Sequence, residues 1–470
     1  MKPPNKYHAY EALFNPSSVA IIGASENPDK LGYHVMKSVV DGGYSGKLFP
    51  VNLKGSTIFG YQSYSSIELV PNSVDLAVIV VPAARVLSSI KLCTQKGVKA
   101  VVLITAGFKE LDDGNGAKMQ QEISDLANLA GIKIIGPNTY GLLNLHAHLN
   151  ATFTPEFLCV RPGNIALISQ SGGMSHMLGY QSLLGMAGFS KIVGVGNRCN
   201  VDFADLISYL TEDPDTDVIA MHIEGTDDPG RLFATARSLK VKKPIVAYKV
   251  GQSDVSDTAA FSHTGSMAGN YSFYEAGFKQ AGILMVNSSQ ELIDAASVLG
   301  ARSPLAGDKV AIISGQAGPT LAACDVCARG GLDLSPFVPN TQKKIVDLLH
   351  TKTMLTNPID LGPAWYNAEA IRASLEILLR DFNIHGILLI IIYGSANLNM
   401  LEALFNLLKE WKEKKPVISC LSSPPGIWEK EKAVMNELGL PYYRTPEQAA
   451  MGFVYLNRYR LLLNKNDNCF

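Results

Sequence analysis

Short runs of apolar, mostly β-branched residues recur through the first 150 residues, and amphipathic segments separate them. Glycine, proline or asparagine bounds each run, as is usual where strands end. Continuous apolar runs predict strands buried on both faces, which a parallel sheet covered by helices requires. The pattern therefore predicts a doubly wound α/β domain over residues 1–150. Its predicted strands cover residues 19–22, 48–51, 76–81, 100–104 and 132–135.

The same pattern continues along the rest of the chain. Apolar runs of similar length predict a second α/β domain over residues 151–300 and a third over residues 308–465. Three α/β domains joined in sequence are thus the expected architecture. The predicted strands of the second domain cover residues 165–168, 191–195, 218–223 and 245–248, and those of the third cover 309–315, 387–392 and 416–419.

Composition narrows the possible partners. The 41 basic and 42 acidic residues give a net charge near −1, so no global field attracts nucleic acid or an anionic membrane. The longest apolar runs fall far short of the ~20 residues that span a bilayer, and the amino-terminal residues contain no apolar signal segment. We expect no nucleic-acid partner and no membrane association.

Cysteine usage indicates a reducing compartment. Seven scattered cysteines do not suggest a disulfide framework. Cys324 and Cys327 have CxxC spacing, but they lie in a helix-like stretch without a second pair, which favours a structural role over redox or zinc chemistry. The cytoplasm is the expected location.

A glycine turn follows the first predicted strand. Gly23, Ala24 and Ser25 lead toward a helix predicted to begin near Gly32. Such a turn lets backbone N–H groups and the helix dipole meet a phosphate, although the spacing is not that of the GxGxxG fingerprint. Lys54 follows the next strand, where an NAD-binding domain would usually place an acidic residue. A cation there suits the phosphorylated ribose of NADP or of CoA; a solvated surface lysine is the alternative.

Further loops lie at the predicted carboxyl ends of strands, where open α/β sheets bind ligands. One contains Val81 and Pro82, another residues 104–108, and a third residues 136–141 with Asn138 as a candidate contact to phosphate or substrate. In the second domain, residues 169–173, SQSGG, precede an apolar helix and form what we call the phosphate cradle, because small residues and hydroxyls at a helix start can surround an anion. Ordinary helix capping by Ser171 is the alternative.

A single histidine is the strongest candidate for chemistry. His263 lies in the segment FSHTGSMAG of residues 261–269, which has little apolar surface and is typical of a loop. Imidazole is a competent nucleophile toward phosphoryl groups when a carboxylate orients it. Glu224, at the end of a predicted strand, could be that carboxylate. A surface or structural histidine is the alternative.

Together these features resemble the α subunit of NDP-forming acyl-CoA synthetases, the superfamily of succinyl-CoA synthetase, and most closely the archaeal-type ADP-forming acetyl-CoA synthetase. The resemblance covers nearly the whole chain. It implies an N-terminal Rossmann-like CoA-binding domain followed by two flavodoxin-like, succinyl-CoA synthetase-like α/β domains. It also implies that His263 is phosphorylated and that Glu224, 39 residues earlier (263 − 224), steadies it.

The resemblance assigns further residues. The phosphate of the phosphohistidine would lie at the phosphate cradle, against Gln170, Ser171, Gly172 and Gly173. His176 departs from the family, which usually has a small residue there; it either favours a substrate with a second anionic group or simply packs at the helix start. The contacts to CoA would come from Gly23, Ala24, Ser25, Lys54, Val81, Pro82, Ile104, Thr105 and Ala106.

The activity implied is the interconversion of acyl-CoA, phosphate and ADP with a small carboxylic acid, CoA and ATP. The chain contains neither a P-loop motif nor a further region long enough for an ATP-grasp module. The resemblance therefore implies an ATP-grasp β subunit that brings ATP or ADP with Mg²⁺, in a heterotetramer. The alternatives are a CoA-binding regulatory or scaffold subunit without turnover and, ranked last, an NADP-dependent oxidoreductase. The acid used, the direction of flux and the choice between ADP and GDP stay open.

Overall fold

We analysed a computed structural model of the chain, which describes residues 8–111, 114–183, 185–239, 243–253, 255, 271–301, 305–349 and 355–467. The chain divides into two compact units, Met1–Ile293 and Asp294–Phe470. Each unit is built from parallel sheets covered by helices, so the predicted α/β class is confirmed.

The first sheet is parallel throughout its described strands, in the order β2-β1-β5-β6-β7. A short hairpin, β3 and β4, follows β2. The strands are β1 (Ser18–Ile22), β2 (Lys47–Val51), β3 (Thr57–Ile58), β4 (Tyr61–Gln62), β5 (Leu76–Ile79), β6 (Ala100–Leu103) and β7 (Lys133–Ile135); the helices are α1 (His8–Phe14), α2 (Leu31–Asp41), α3 (Ala83–Lys96) and α4 (Asn115–Ala130).

The continuous apolar runs have a direct structural cause. In β1, Val19 and Ile21 pack into one hydrophobic core, whereas Ala20 and Ile22 pack into the core on the opposite face. Successive side chains of a strand point to opposite faces, so a strand covered on both sides has a near-continuous run of apolar residues. The order of strands reverses at β1, with β2 on one side and β5 on the other. Ligands of open α/β sheets bind outside the carboxyl ends of strands at such a point.

The second sheet also belongs to the first unit, in the order β14-β13-β12-β10-β11-β8-β9. Strands β10 to β14 are parallel, and the hairpin of β8 and β9 joins the sheet antiparallel to β11. The strands are β8 (Gly141–Asn144), β9 (Leu149–Thr152), β10 (Pro162–Ser169), β11 (Phe189–Gly194), β12 (Val218–Ile223), β13 (Ile245–Lys249) and β14 (Leu284–Val286); the helices are α5 (Gly172–Gln181), α6 (Phe203–Glu212), α7 (Pro229–Ser238), α8 (Tyr271–Ala281) and α9 (Ser289–Gly300).

The hairpin of β8 and β9 crosses the expected domain boundary at residue 150. Leu142 and Leu143 in β8 pair with Val193 and Ile192 of β11, so residues from 141 onward contribute backbone hydrogen bonds to the second sheet. A segment of four residues carries too little apolar pattern to reveal which sheet it extends. The first sheet therefore ends with β7, before the predicted boundary.

The second unit contains one parallel sheet in the order β16-β15-β17-β18-β19. Cys324 and Cys327 lie on its helix α10, where burial raises the pKa of the Cys327 thiol to about 12. A thiol with that pKa stays protonated, in keeping with a structural role. The strands are β15 (Val310–Ser314), β16 (Ile359–Asp360), β17 (Gly386–Ile392), β18 (Val417–Ser422) and β19 (Tyr442–Tyr443); the helices are α10 (Ala317–Arg329), α11 (Pro339–Leu349), α12 (Ala368–Arg380), α13 (Met400–Trp411), α14 (Glu429–Leu438) and α15 (Pro446–Asp467).

The loop after β15 has the same local geometry as the phosphate cradle after β10. The Ser169 hydroxyl donates to the Ser171 carbonyl, and the Ser175 hydroxyl donates to the same carbonyl. In the second unit the hydroxyls of Ser314 and Thr320 both donate to the carbonyl of Gln316. Equal spacing in the two segments shows that one strand-to-helix turn is used in both units. Across the parts of the chain that are described, we find no helix with the length and hydropathy needed to cross a bilayer.

A buried ion pair stabilises the second sheet. Lys191 on β11 is fully buried, and its Nζ lies 2.6 Å from an Asp213 carboxylate oxygen that also accepts a hydrogen bond from the Thr216 hydroxyl. Removing one partner of a buried pair leaves the other charge uncompensated. We predict that Lys191→Met lowers the free energy of unfolding by about 3–5 kcal/mol. The control Lys414→Met removes an exposed pair with Glu410 and should cost less than about 1 kcal/mol. Denaturant titration followed by circular dichroism measures the free energy of unfolding of both variants. Equal free energies of unfolding in the two variants would contradict the prediction.

Candidate functional site

A cavity of about 760 Å³ opens at the carboxyl ends of β1, β2, β5 and β6 in the first sheet. It lies at the reversal of strand order, where the fold favours ligand binding. Eight of the nine residues expected to contact CoA line this cavity: Gly23, Ala24, Ser25, Lys54, Val81, Pro82, Thr105 and Ala106. Ile104 does not line it, since its side chain points into the core and is only 4% exposed.

The turn after β1 brings a helix start directly against the strand end. Gly23 has a φ of +101°, and a Cβ at Gly32 would lie 2.0 Å from the Gly23 carbonyl oxygen. Only glycine permits so close an approach. Helix α2 begins at Leu31 after Lys30, which makes no side-chain capping bond. The first N–H groups of α2 are therefore available to a ligand.

Two of the cations that line this cavity were not predicted from the sequence. Lys30 and Arg85 line it together with Lys54, and no aspartate or glutamate is among the lining residues. None of the three cations forms an ion pair with any residue that the structure describes. Arg85 lies in the first turn of α3, directly after the loop containing Pro82, so its position could have been inferred from the predicted helix start. Three such cations indicate a ligand with several negative charges.

The phosphate cradle begins α5 as expected. The Ser171 hydroxyl accepts a hydrogen bond from the Met174 N–H, so Ser171 does cap the helix. Capping leaves the N–H groups of Gly172 and Gly173 at the first turn, and Gly173 is exposed. The two interpretations of this segment are thus compatible: a capped helix start still offers N–H donors to an anion.

Glu224 follows β12 and is buried. The Oε1 atom of Gln170 accepts hydrogen bonds from the N–H groups of Glu224 (3.0 Å) and Gly225 (3.1 Å). The cradle and the turn that carries Glu224 are therefore in direct contact. His263 lies outside the described residues.

An ion pair connects the cavity loop to the Glu224 turn. Lys109, four residues after Thr105, places its Nζ 3.1 Å from Asp227. The Thr226 hydroxyl donates to Asp202, and its N–H donates to the Tyr274 hydroxyl. These contacts fix residues 224–227 relative to the loop that follows β6.

His176 and Asn138, which were expected to contact phosphate or substrate, do not line the cavity. In His176, Nδ1 lies 2.8 Å from the Gly172 carbonyl oxygen and Nε2 lies 2.7 Å from the Thr154 hydroxyl, and the ring stacks on Phe157. Both ring nitrogens of His176 are therefore engaged by groups of the chain itself. Asn138 adopts a left-handed φ of 57°, and its side-chain Nδ2 donates to the side-chain Oδ1 of Asn197. It joins the first-sheet loop to the loop after β11.

A buried histidine lies beneath the cradle. His222 on β12 is almost fully buried, and its Nδ1 lies 3.3 Å from the Ser169 hydroxyl. Burial, with a contribution from the nearby Lys249 ammonium, lowers the pKa of His222 to about 4. The imidazole is therefore neutral at physiological pH and can hydrogen bond to Ser169.

The chain resembles CoA-dependent proteins along its whole length. Residues 17–144 match the model of the CoA binding domain, and residues 162–299 match the model of the succinyl-CoA ligase like flavodoxin domain. The α subunit of ADP-forming acetate–CoA ligase I from Pyrococcus furiosus is 38% identical over 450 residues, covering 93% of this chain and 95% of that subunit.

A longer relative and a solved structure are also similar to this chain. The ADP-forming acetate–CoA ligase of Methanocaldococcus jannaschii is 36% identical over 98% of this chain, which spans 64% of that protein. The structure of acetyl-coenzyme A synthetase 1 from Candidatus Korarchaeum cryptofilum in complex with phosphate and ADP is 30% identical. It matches with a TM-score of 0.91, covering 98% of this chain and 99% of that chain.

The low pKa of His222 predicts how stability depends on pH. Between the unfolded value of about 6.5 and the folded value of about 4, the unfolded chain binds the extra proton. The contribution of His222 to the free energy of unfolding is fully present above pH 6.5. It is lost as the pH falls toward 4, and the total loss is about 3 kcal/mol. In His222→Gln, unfolding free energies measured across this range should fall less steeply than in the wild type. Parallel curves for the two proteins would refute the prediction.

Proposed function

The chain belongs to the family of ADP-forming acetate–CoA ligases, of which it forms the α subunit, and we propose a route by which its own residues handle CoA and phosphate. As a member of this family the protein is an acid–thiol ligase subunit and uses CoA as a substrate. The single observation that supports CoA binding in the first domain is the cavity with three cations and no carboxylate. CoA carries a diphosphate and a 3′-phosphate, which match such a lining.

In the proposed reaction, phosphate attacks the thioester carbonyl of acyl-CoA, forming an acyl phosphate and releasing the CoA thiolate. His263 then attacks the phosphorus, so the P–O bond to the acyl group breaks and the carboxylate leaves. ADP finally takes the phosphoryl group from the histidine to give ATP. Only one nitrogen of an imidazole can act as nucleophile, so the other must donate a hydrogen bond, and Glu224 is proposed to accept it.

The phosphate cradle is proposed to hold the phosphoryl group during transfer. Preorganised N–H donors at Gly172 and Gly173 offset its negative charge without having to reorganise, which is the main way proteins accelerate phosphoryl transfer. Gln170 and Tyr274 hold the backbone of residues 224–226, and these contacts keep the turn that carries Glu224 next to the cradle.

A second subunit completes the enzyme. The chain covers 95% of the Pyrococcus α subunit but 64% of the longer Methanocaldococcus ligase, so the remaining third of that enzyme has no counterpart here. We propose that an ATP-grasp partner supplies this part and brings ATP or ADP together with Mg²⁺. Within the described ranges, no group of three or more His, Cys, Asp or Glu side chains could hold a metal ion. We propose that the acyl group of the acyl-CoA substrate is derived from a small carboxylic acid.

Two other functions are weaker. A CoA-binding scaffold subunit would need neither His263 nor Glu224, and both are present in the sequence. An NADP-dependent oxidoreductase is not supported, because the family to which the chain belongs consists of CoA ligases.

The phosphohistidine can be tested by intact mass analysis. We expect the chain, incubated with its partner subunit and Mg-ATP, to gain one acid-labile phosphate, which a carboxylic acid plus CoA then removes. His263→Asn should gain none. Glu224→Gln should be phosphorylated more slowly by roughly two to four orders of magnitude, because the imidazole loses the carboxylate that orients it. CoA binding without any adduct in the wild type would favour the scaffold instead.

Arg85 should contribute to CoA affinity. A charge-assisted hydrogen bond contributes about 1.5–3 kcal/mol, so Arg85→Ala should raise the Kd for CoA by roughly 10- to 100-fold. Lys91→Ala is the matched control, since Lys91 is exposed on the same helix and does not line the cavity. Titration calorimetry with CoA and with 3′-dephospho-CoA measures the effect. A loss confined to CoA identifies the 3′-phosphate as the partner of Arg85, and unchanged affinity for both ligands would exclude Arg85 from the site.

A further inference from the structure

The side-chain amide of Gln170 has a defined orientation. Its Oε1 accepts two backbone hydrogen bonds, from Glu224 and Gly225, at 3.0 and 3.1 Å. An amide NH₂ group can only donate, so a flipped side chain would oppose donors to donors. The network therefore fixes the oxygen toward the Glu224 turn. The nitrogen lies in the same amide plane on the opposite side of the Cγ–Cδ axis, and so points away from that turn.

That nitrogen has no hydrogen-bond partner among the described residues, although Gln170 is only 7% exposed. Leaving a buried donor unpaired is costly, and such groups in native proteins are usually satisfied by a ligand or by water. Gln170 directly precedes Ser171, the cap of α5, whose first turn presents the N–H groups of Gly172 and Gly173. A buried amide donor next to an open helix start is suited to an anion with several acceptor oxygens.

We propose that Gln170 couples occupancy of the phosphate cradle to the position of Glu224. In this inference, which rests on the proposed function, Nε2 donates to an oxygen of phosphate or of the transferring phosphoryl group. Oε1 of the same amide holds the Glu224 turn. An oxygen that accepts from Nε2 polarises the amide and strengthens Oε1 as an acceptor. Phosphate in the cradle thus tightens the turn that carries the orienting carboxylate, and an empty cradle loosens it.

Two substitutions of Gln170 distinguish the acceptor role of the amide oxygen from the donor role of the amide nitrogen. Gln170→Glu keeps an oxygen for the backbone N–H groups of Glu224 and Gly225 but replaces the NH₂ donor by a carboxylate oxygen. Gln170→Met keeps the approximate length and loses both functions. Gln62→Glu is the control for the same change at an exposed glutamine that does not line the cavity.

The first measurement is direct binding of inorganic phosphate to the full chain with its partner subunit. Phosphate should raise the melting temperature of the wild type and of Gln62→Glu, because a ligand that binds only the folded state stabilises it. In Gln170→Glu at pH 8 the apparent Kd for phosphate should rise by roughly tenfold or more, the effect of one lost hydrogen bond and one like charge. No phosphate effect in the wild type, or equal effects in both proteins, would overturn the proposal.

The pH profile distinguishes a donor from a merely structural residue. A protonated glutamic acid offers one O–H donor and one carbonyl acceptor, the same pattern as the amide. The ratio of phosphate Kd values, Gln170→Glu over wild type, should therefore fall by roughly threefold or more between pH 8 and pH 5.5, since burial beside phosphate raises the pKa of the new carboxyl group. A ratio that does not change with pH would contradict donation by Nε2.

Turnover of acetyl-CoA, phosphate and ADP tests the coupling. At pH 8, Gln170→Glu should raise mainly the KM for phosphate. Gln170→Met should also lower kcat by roughly tenfold, since the Glu224 turn loses its acceptor. If the two variants have the same kcat and the same KM for phosphate, the proposed coupling is wrong even though phosphate binds. If the wild type binds phosphate but forms no ATP and no phosphohistidine, the proposed function fails, and with it the coupling to catalysis, whereas the phosphate donor stands on the binding measurements.

Discussion

Parallel pairing of strands that are buried on both faces is the constraint on which the rest of this structure depends. In β1, the alternate side chains of residues 19–22 enter two different cores, so these positions are apolar. The groups expected to contact ligands lie instead in the loops at the strand ends. Because the strands are parallel, the loops after β1, β2, β5 and β6 meet at one edge and enclose a single cavity, although more than 80 residues separate Gly23 from Ala106. The second sheet brings the phosphate cradle and Glu224 together in the same way, after neighbouring strands β10 and β12.

The two proposed anion sites differ in burial and in the kind of donor that they offer. The cavity of the first domain is lined by exposed Lys30, Lys54 and Arg85, whose charges cost little to keep in water until a ligand arrives. The cradle combines backbone N–H groups with the buried amide of Gln170, which are neutral donors. A buried ammonium or guanidinium would need a partner to offset its desolvation, as Lys191 needs Asp213. Neutral donors avoid that cost.

Hydrogen bonds between loops, and not the apolar core, set the geometry of the site. Gln170 holds the Glu224 turn, Lys109 ties the same turn to the loop after β6, and Asn138 connects the first-sheet loop to Asn197. Beneath them His222 remains neutral, which allows it to hydrogen bond to Ser169 without a buried charge. Each contact joins residues distant in sequence, so each forms only when the strands that carry those residues are in place.

The sequence by itself determined the α/β class, the principal strands and nearly all residues expected at the cavity, because burial on both faces leaves a continuous apolar run and glycine marks the strand ends. Strands of two residues, such as β16 and β19, are too short to carry such a pattern, and hydrogen bonds placed the four-residue β8 in the second sheet rather than the first. The tertiary structure alone decided that Ile104 points into the core, that Lys30 and Arg85 share a cavity with Lys54, and that both nitrogens of His176 are engaged. It also decided that the Gln170 amide faces Glu224, since the direction of a side chain depends on which strands become neighbours, and local sequence does not encode that.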